Sequence, residues 1–161
     1  LSLSNNKKTY LQLPYEIANS DELTITLWVN WRDNSSSWQR LFDFGYDTDH
    51  YMFLTPSNGK NMRFAIKNGG NELTIDCPSK LDVLKWRHVA VTIGKDKTAI
   101  YVNGEEVASS TGIDIKPSDI RPLLNYIGRS QFSSDPFLTA YIDDARIYNY
   151  ALTADEVKNV I

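Results

Sequence analysis

The chain has 161 residues, of which 42% are hydrophobic and 23% charged, and its net charge is −3 at pH 7. A chain of this length buries about 70% of its unfolded surface, so residues 1–161 are expected to fold as one domain without disulfide bonds. The mild negative charge argues against nucleic-acid binding, which needs a basic surface, and no apolar run reaches the length of a membrane span.

Period-two alternation of apolar and polar residues runs through the chain and predicts β-strands. The alternation is clearest in residues 23–31 (LTITLWVNW), where the odd-numbered positions form one apolar face, and in residues 86–93 (WRHVAVTI). Further strands are predicted at residues 10–13, 39–44, 50–54, 61–67, 73–76, 100–102, 106–109, 123–127 and 139–148.

Turn sequences separate these strands. Asn103-Gly104 suits a type I′ hairpin turn, in which both central residues have positive φ, and residues 57–60 (SNGK) and 68–71 (NGGN) are further tight connections. One short helix is predicted after Thr153, where the TADE sequence forms a capping box. Many short strands with closely spaced turns and one C-terminal helix predict an all-β fold, a two-sheet antiparallel jelly-roll sandwich.

Candidates for catalysis are few. The chain has two histidines, His50 and His88, and it lacks the motifs for an activated serine, a zinc site or a phosphate loop. The lone cysteine, Cys77, has no basic neighbour to lower its pKa and is expected to be a half-buried core residue. Retaining glycosidases place two carboxylates about 5–5.5 Å apart, whereas the adjacent Asp143 and Asp144 should point to opposite faces of a strand. The sequence therefore favours a non-catalytic domain.

A series of segments, in a fixed order, covers nearly the whole chain: YLQLP, LTITLWVNW, QRLFDFG, YMFLTP, MRFAI, WRHVAVTI, IYVNGEEVA, NYIGRSQF and YIDDARIYNYALTADEV. These segments resemble the laminin-G-like (concanavalin A-like) jelly-roll domains of bacterial extracellular proteins. FDFG, YMFLTP and IGRSQF are similar to the accessory modules of secreted glycoside hydrolases such as arabinofuranosidases. The resemblance implies a non-catalytic carbohydrate-binding domain, secreted, surface-bound or periplasmic, that belongs to a larger chain with a catalytic neighbour.

The same resemblance implies one structural calcium ion. The first acid of the D-D/E-x-R-I-Y segment is a common ligand in the family, and that acid is Asp143 here. Asn5 lies where partner ligands fall, although the family's F-D-G form is absent there. Alternation puts Asp143 on one strand face with Ala145 and Ile147, so we expect its carboxylate to point inward, where it needs a cation or another partner. The alternatives are that it accepts backbone N–H bonds or pairs with an arginine.

Three loops combine aromatic and planar polar side chains, as sugar-binding sites do. We predict that the loops meet at one end or edge of the sandwich and that the ligand-binding residues are Trp38, Tyr46, Asp47, Arg129, Gln131 and Phe132. The alternative is that the rings cover loop cores and that Arg129 is a structural ion-pair partner. A second candidate surface, which would bind glycan or dock a neighbouring domain, is the outer face of a sheet with Trp28, Asn30, His88 and Tyr101.

The function predicted from these observations is carbohydrate binding. The domain would hold a secreted polysaccharide-degrading enzyme on its polymer and so raise the local concentration of the catalytic domain. The family resemblance favours a plant polysaccharide or oligosaccharide that contains arabinose or xylose. Two alternatives stay open: a structural or protein-interaction domain that braces a catalytic neighbour, and a small glycan hydrolase of the same sandwich.

Overall fold

The computed structural model describes residues 1–161. The strands, in chain order, are β1 (Ser2–Leu3), β2 (Leu11–Leu13), β3 (Leu23–Trp31), β4 (Phe42–Asp47), β5 (His50–Thr55), β6 (Arg63–Asn68), β7 (Leu73–Asp76), β8 (Trp86–Ile93), β9 (Thr98–Val102), β10 (Glu105–Ser110), β11 (Leu124–Ile127) and β12 (Ala140–Tyr148). A short 3₁₀ helix (Tyr15–Ala18) and two short helices, α1 (Pro117–Ile120) and α2 (Ala154–Asn159), complete the fold. No helix is both long enough and apolar enough to cross a membrane.

The strands form two antiparallel sheets of six. Sheet A has the order β1-β12-β3-β8-β9-β10, and sheet B has the order β2-β11-β4-β5-β6-β7. Neighbours within each sheet are often distant in the chain, because the strands cross between the layers, as in a jelly roll. The predicted all-β antiparallel sandwich with a short C-terminal helix is confirmed.

The core lies between the sheets and is built from the alternating apolar positions. One cluster of 27 buried residues includes the odd-numbered side chains of β3 and the rings of Phe42, Phe44 and Phe64. Full burial of each large apolar side chain contributes roughly 1.5–3 kcal/mol. Trp31 is buried in the same cluster, and its indole Nε1 donates to Gln39 Oε1 at 3.1 Å. Alternation therefore places the apolar half of β3 inward and the other half on the outer face of its sheet.

Local signals in the sequence give the turns and the last helix. Asn103 and Gly104 both have positive φ, 52° and 82°, as a type I′ turn requires. Thr153 caps α2, since its side chain accepts the backbone N–H of Glu156 at 3.2 Å. Cys77 is a core residue as predicted, but it is fully rather than half buried, and this burial raises the pKa of its thiol to about 12.

The strand predicted at residues 39–44 begins only at Phe42. Trp38 takes a left-handed backbone conformation, with φ of 69°, which interrupts an extended chain. The side-chain Nε2 of Gln39 donates to the carbonyl of Asp33, earlier in the same loop, at 2.8 Å. Side-chain bonds within this loop thus replace the strand pairing that alternation predicted.

The prediction that the Asp143 carboxylate points inward is wrong. A β-bulge lies between Asp143, opposite Trp28, and Arg146, opposite Thr26, so three steps on β12 match two on β3. The extra residue reverses the side-chain alternation, and Asp144 takes φ of 48° to accommodate it. Asp143 therefore lies on the outer face of sheet A and is exposed, on the opposite side from Ile147, which pairs with the buried Ile25.

Candidate functional site

Two of the three predicted loops meet on the outer face of sheet B. Trp38 from the β3–β4 loop and Phe132 from the β11–β12 loop both border a cleft of about 220 Å³. The cleft, called here the Trp38 cleft, is lined by Trp38, Arg40, Phe53, Glu72, Phe132 and Asp135. Trp38 and Phe132 are only half-buried, so part of each ring is available to a ligand.

An apolar floor supports these rings. Phe53, Tyr51 and Ala65 are buried on the outer face of sheet B, and Trp38 and Phe132 pack against them. Phe132 meets Tyr51 edge to face, with ring centroids 5.6 Å apart. Because the floor fixes both rings, they offer a preformed surface for stacking on a sugar.

Arg40 is the polar centre of the site. Its guanidinium lies over the Phe53 ring, 3.8 Å from the centroid. Nε donates to Asp43 Oδ2 at 3.0 Å, Nη1 to the Trp38 carbonyl at 2.7 Å and Nη2 to Asp135 Oδ2 at 2.9 Å. The two loops and β4 are thereby joined by one charged side chain, which is 1% exposed.

Asp43 lies beneath this network. Its carboxylate also accepts the backbone N–H of Gln131 at 3.1 Å, while Oδ1 is buried without a hydrogen-bond partner. Burial raises the pKa of Asp43 to about 7, although Arg40 and the Gln131 amide pull it down. The carboxylate fixes the loops and is too deeply buried to reach a ligand.

Every cationic side chain at the cleft is paired with an acid, and the remaining charge is negative. Arg40 is the only cation that lines it, beside Asp135 and Glu72. Glu72 also accepts a hydrogen bond from the Tyr51 hydroxyl. Arg63, whose guanidinium lies 5.9 Å from the Trp38 ring centroid, is held by a bidentate pair with Asp76 at 2.6 and 3.0 Å. The cleft therefore has no cation left over for an anionic ligand.

Tyr46 and Asp47, predicted to share the site, do not line the Trp38 cleft. Both lie at the β4–β5 hairpin, where Tyr46 stacks on His50 with centroids 4.5 Å apart. Asp47 Oδ1 lies 2.8 Å from His50 Nδ1, and this hydrogen bond lowers the pKa of Asp47. The third loop thus has its own arrangement at the end of the two central strands of sheet B.

Arg129 and Gln131 also lie outside the lining of the cleft. The Arg129 guanidinium packs against the rings of Tyr10 and Tyr126, 4.8 Å from each centroid. Gln131 Nε2 donates to the Leu124 carbonyl at 2.8 Å. Both side chains hold the β11–β12 loop in place. A structural role was the alternative predicted for Arg129, but its partners are aromatic rings and not the acid of an ion pair.

Arg40, Phe53, Glu72 and Asp135 line the cleft without having been predicted as ligand-binding residues. The spacing Arg40-x-x-Asp43 is a weak sequence signal for an ion pair. The outward position of Phe53 could have been read from alternation along β5. Nothing local marks the meeting with Glu72 or Asp135, which depends on how the loops fold over sheet B.

The second predicted surface, on sheet A, is partly covered. His88 and Tyr101 are 1% and 4% exposed, so they do not present an accessible face. The C-terminal segment, with Leu152 and Val157, packs on Tyr101 to form a small second core. Burial also lowers the pKa of His88. Only the half of this face away from α2 is open.

The residues predicted to hold calcium do not fit one ion. Asn5 Oδ1 accepts the backbone N–H of Phe137 at 2.9 Å, and Asp143 Oδ1 accepts that of the next residue at 2.9 Å. Because Ser2 pairs with Tyr141, Asn5 falls opposite a position about five residues before Asp143, roughly 16 Å along the strand. No group of three or more His, Cys, Asp or Glu side chains is placed to hold a metal. Calcium binding by the domain stays a prediction without a site.

Comparison with known proteins agrees with the fold. A family model described as the concanavalin A-like lectin/glucanases superfamily matches residues 5–158. No curated protein sequence matches the chain.

Several solved structures share the fold at low sequence identity. Domain 4 of AbnA, a GH43 extracellular arabinanase from Geobacillus stearothermophilus in complex with arabinotriose, has a TM-score of 0.85 at 22% identity, over 99% of this chain and 74% of that one. The Ruminococcus gnavus IT-sialidase CBM40 bound to α2,3 sialyllactose has a TM-score of 0.77 at 19% identity, over 95% and 96%. The NanB sialidase of Streptococcus pneumoniae has a TM-score of 0.84 at 16% identity, over 98% of this chain and 26% of that one.

Proposed function

The chain belongs to the concanavalin A-like lectin/glucanase superfamily, and we propose that within it this protein is a non-catalytic carbohydrate-binding module. The observation that carries the proposal is the Trp38 cleft, where two fixed, half-buried rings stand beside hydrogen-bonding side chains. Aromatic rings stack on the C–H faces of a sugar, and Asp135 and Glu72 supply acceptors for its hydroxyls.

The charges of the cleft support a neutral sugar as ligand. Among the neighbours solved with glycans, AbnA domain 4 holds arabinotriose, which is neutral, and the sialidase CBM40 holds sialyllactose, which carries a carboxylate. Here the guanidinium of Arg40 is already bonded to Asp43 and Asp135, and Glu72 adds a further negative charge. Two like charges 4 Å apart near a protein surface repel by about 4 kcal/mol, so an anionic sugar is disfavoured. Arabinose- or xylose-containing polymers fit this requirement.

The size of the cleft supports a short contact with the polymer. Its volume of about 220 Å³ is below the roughly 300–1,000 Å³ of pockets that enclose a small molecule. We therefore expect it to engage one or two sugar rings of a longer chain. In a secreted enzyme such a weak site works by keeping a neighbouring catalytic domain close to its substrate.

The test is affinity electrophoresis of the domain through gels that contain arabinan, arabinoxylan or polygalacturonate. We expect retardation on a neutral polymer, and loss of most of it in Trp38→Ala. Tyr15→Ala is the matched control, because Tyr15 is 59% exposed and does not line the cleft. A folded domain that migrates freely in every gel would contradict carbohydrate binding and favour a bracing domain. Retardation only on polygalacturonate would contradict the neutral ligand while leaving carbohydrate binding intact.

A further inference from the structure

A second aromatic surface lies on the outer face of sheet A, on the other side of the sandwich. Tyr141 on β12, Asn30 on β3 and Trp86 on β8 are direct cross-strand partners. Trp86 and Tyr141 are 44% and 43% exposed. Neighbouring strands are about 4.8 Å apart, so the two rings flank Asn30 with their backbones about 10 Å apart. These three residues are called here the Tyr141–Trp86 row.

Polar groups lie between and beside the two rings. Asn30 lies between the rings but is only 8% exposed, and its Oδ1 accepts from Arg32 Nη1 at 3.4 Å. The Arg32 guanidinium lies 5.2 Å from the Tyr141 ring centroid. Asp143, two residues after Tyr141, shares its outer face of β12 and borders a groove of about 420 Å³ with Trp86 and Tyr141. Rings that alternate with donors and acceptors match the alternating C–H and hydroxyl surfaces of a sugar chain.

The row continues into a third ring. Trp28, two residues before Asn30 on β3, shares its face and is half-buried against His88, with ring centroids 5.3 Å apart. Single exposed aromatic residues are ordinary on protein surfaces. Three rings on one face of three neighbouring strands are a grouped surface, and the charged side chains of Arg32 and Asp143 beside them disfavour an apolar protein partner.

We propose that the Tyr141–Trp86 row is a second carbohydrate-binding surface, which takes an extended, unbranched polysaccharide segment. The two rings are carried by backbones about 10 Å apart, which suits a run of sugar rings that lies across three strands. The row shares no residue with the Trp38 cleft and lies on the opposite sheet. The domain would therefore be bivalent and would crosslink polymer chains, an effect that multiplies retention.

The experiment separates the two surfaces by variants. In gels of soluble arabinoxylan, glucomannan and mixed-linkage β-glucan, the cleft variant Trp38→Ala/Phe132→Ala reports the row alone. We expect residual retardation on at least one polymer, and a fall of at least about threefold in apparent affinity when Trp86→Ala or Tyr141→Ala is added. Tyr150→Ala is the matched control for Tyr141, because Tyr150 is a tyrosine that is 44% exposed beyond the other end of β12.

Two results would overturn the second surface. One is free migration of the cleft variant in all three gels while the wild-type domain is retarded, which leaves the Trp38 cleft as the only site. The other is residual retardation that Trp86→Ala and Tyr141→Ala do not change. If the wild-type domain itself migrates freely, neither surface binds these polymers. Turbidity of wild-type domain mixed with the retarding polymer, lost in either single-surface variant, would support bivalence directly.

Discussion

Arg40 and Asp43 form an ion pair inside the protein, with Nε and Oδ2 3.0 Å apart and the side chains 1% and 0% exposed. The pair lies beneath the candidate sugar site and connects β4 to both loops that form it. A buried pair of this kind contributes little net stability, but removal of one partner leaves the other charge unpaired in the interior. Its role is to fix the loop geometry.

Loss of Arg40 should destabilise the fold in a pH-dependent way. Arg40→Met leaves the Asp43 carboxylate buried without its counter-charge, which costs about 3–5 kcal/mol of unfolding free energy at pH 8. The cost should shrink at pH 5, because the pKa of Asp43 is about 7 and the protonated acid needs no cation. Urea unfolding at both pH values measures it. In Arg40→Met/Asp43→Asn the combined loss should be smaller than the sum of the single losses, and strict additivity would contradict the coupling.

Removal of the rings of the Trp38 cleft should weaken binding without unfolding the domain. Trp38→Ala and Phe132→Ala each remove one stacking surface. We expect each to weaken the binding free energy by about 1.4 kcal/mol, which is a tenfold rise in Kd. Calorimetric titration with an oligosaccharide of the retarding polymer measures this change. If both variants bind with the affinity of the wild type and have unchanged urea midpoints, the sugar site does not lie in the Trp38 cleft.

Titration of His88 should make the fold sensitive to mild acid. Burial lowers the pKa of His88 below its unfolded value of about 6.5, so at acidic pH the unfolded chain takes up a proton that the folded chain does not. The contribution of His88 to stability is therefore present above pH 6.5 and is lost as pH falls through the folded pKa, with a slope of at most about 1.4 kcal/mol per pH unit. Asp43, with its raised pKa, contributes the opposite slope between about pH 4 and 7.

The His88 effect is measured by difference. Urea unfolding of His88→Leu and of the wild type between pH 5 and 8 cancels the common contribution of Asp43. We expect the unfolding free energy of His88→Leu to fall less on acidification than that of the wild type. Parallel curves for the two proteins would show that His88 titrates alike in both states.

Calcium should not stabilise the domain through Asp143 and Asn5. The two side chains are separated along the sheet and already accept backbone N–H groups. We expect the same Tm in millimolar calcium and in chelator. A rise in Tm with calcium that disappears in Asp143→Asn, but not in the nearby Asp144→Asn, would instead establish a calcium site at Asp143.

Much of the fold could be predicted from the sequence because its causes are local. The period-two pattern of residues 23–31 fixes which side chains of β3 face the core, whatever strand lies beside it. Asn103-Gly104 and the Thr153 capping box act within a few residues, and both formed as expected. Trp38 and Phe132 meet as the predicted convergence of the loops requires, whereas the loop with Tyr46 and Asp47 does not join them.

What the tertiary structure decided depends on pairing between distant parts of the chain. The bulge between Asp143 and Arg146 puts Asp143 and Ile147 on opposite faces of β12, and no local pattern contains that extra residue because it exists only relative to β3. Arg40 becomes a buried centre only when the β11–β12 loop brings Asp135 to it. The Tyr141–Trp86 row likewise arises from the register of three strands. Side-chain periodicity is set residue by residue, whereas strand register and loop contacts are set by long-range packing. The candidate binding surfaces depend on register and loop contacts, so only the tertiary structure could place them.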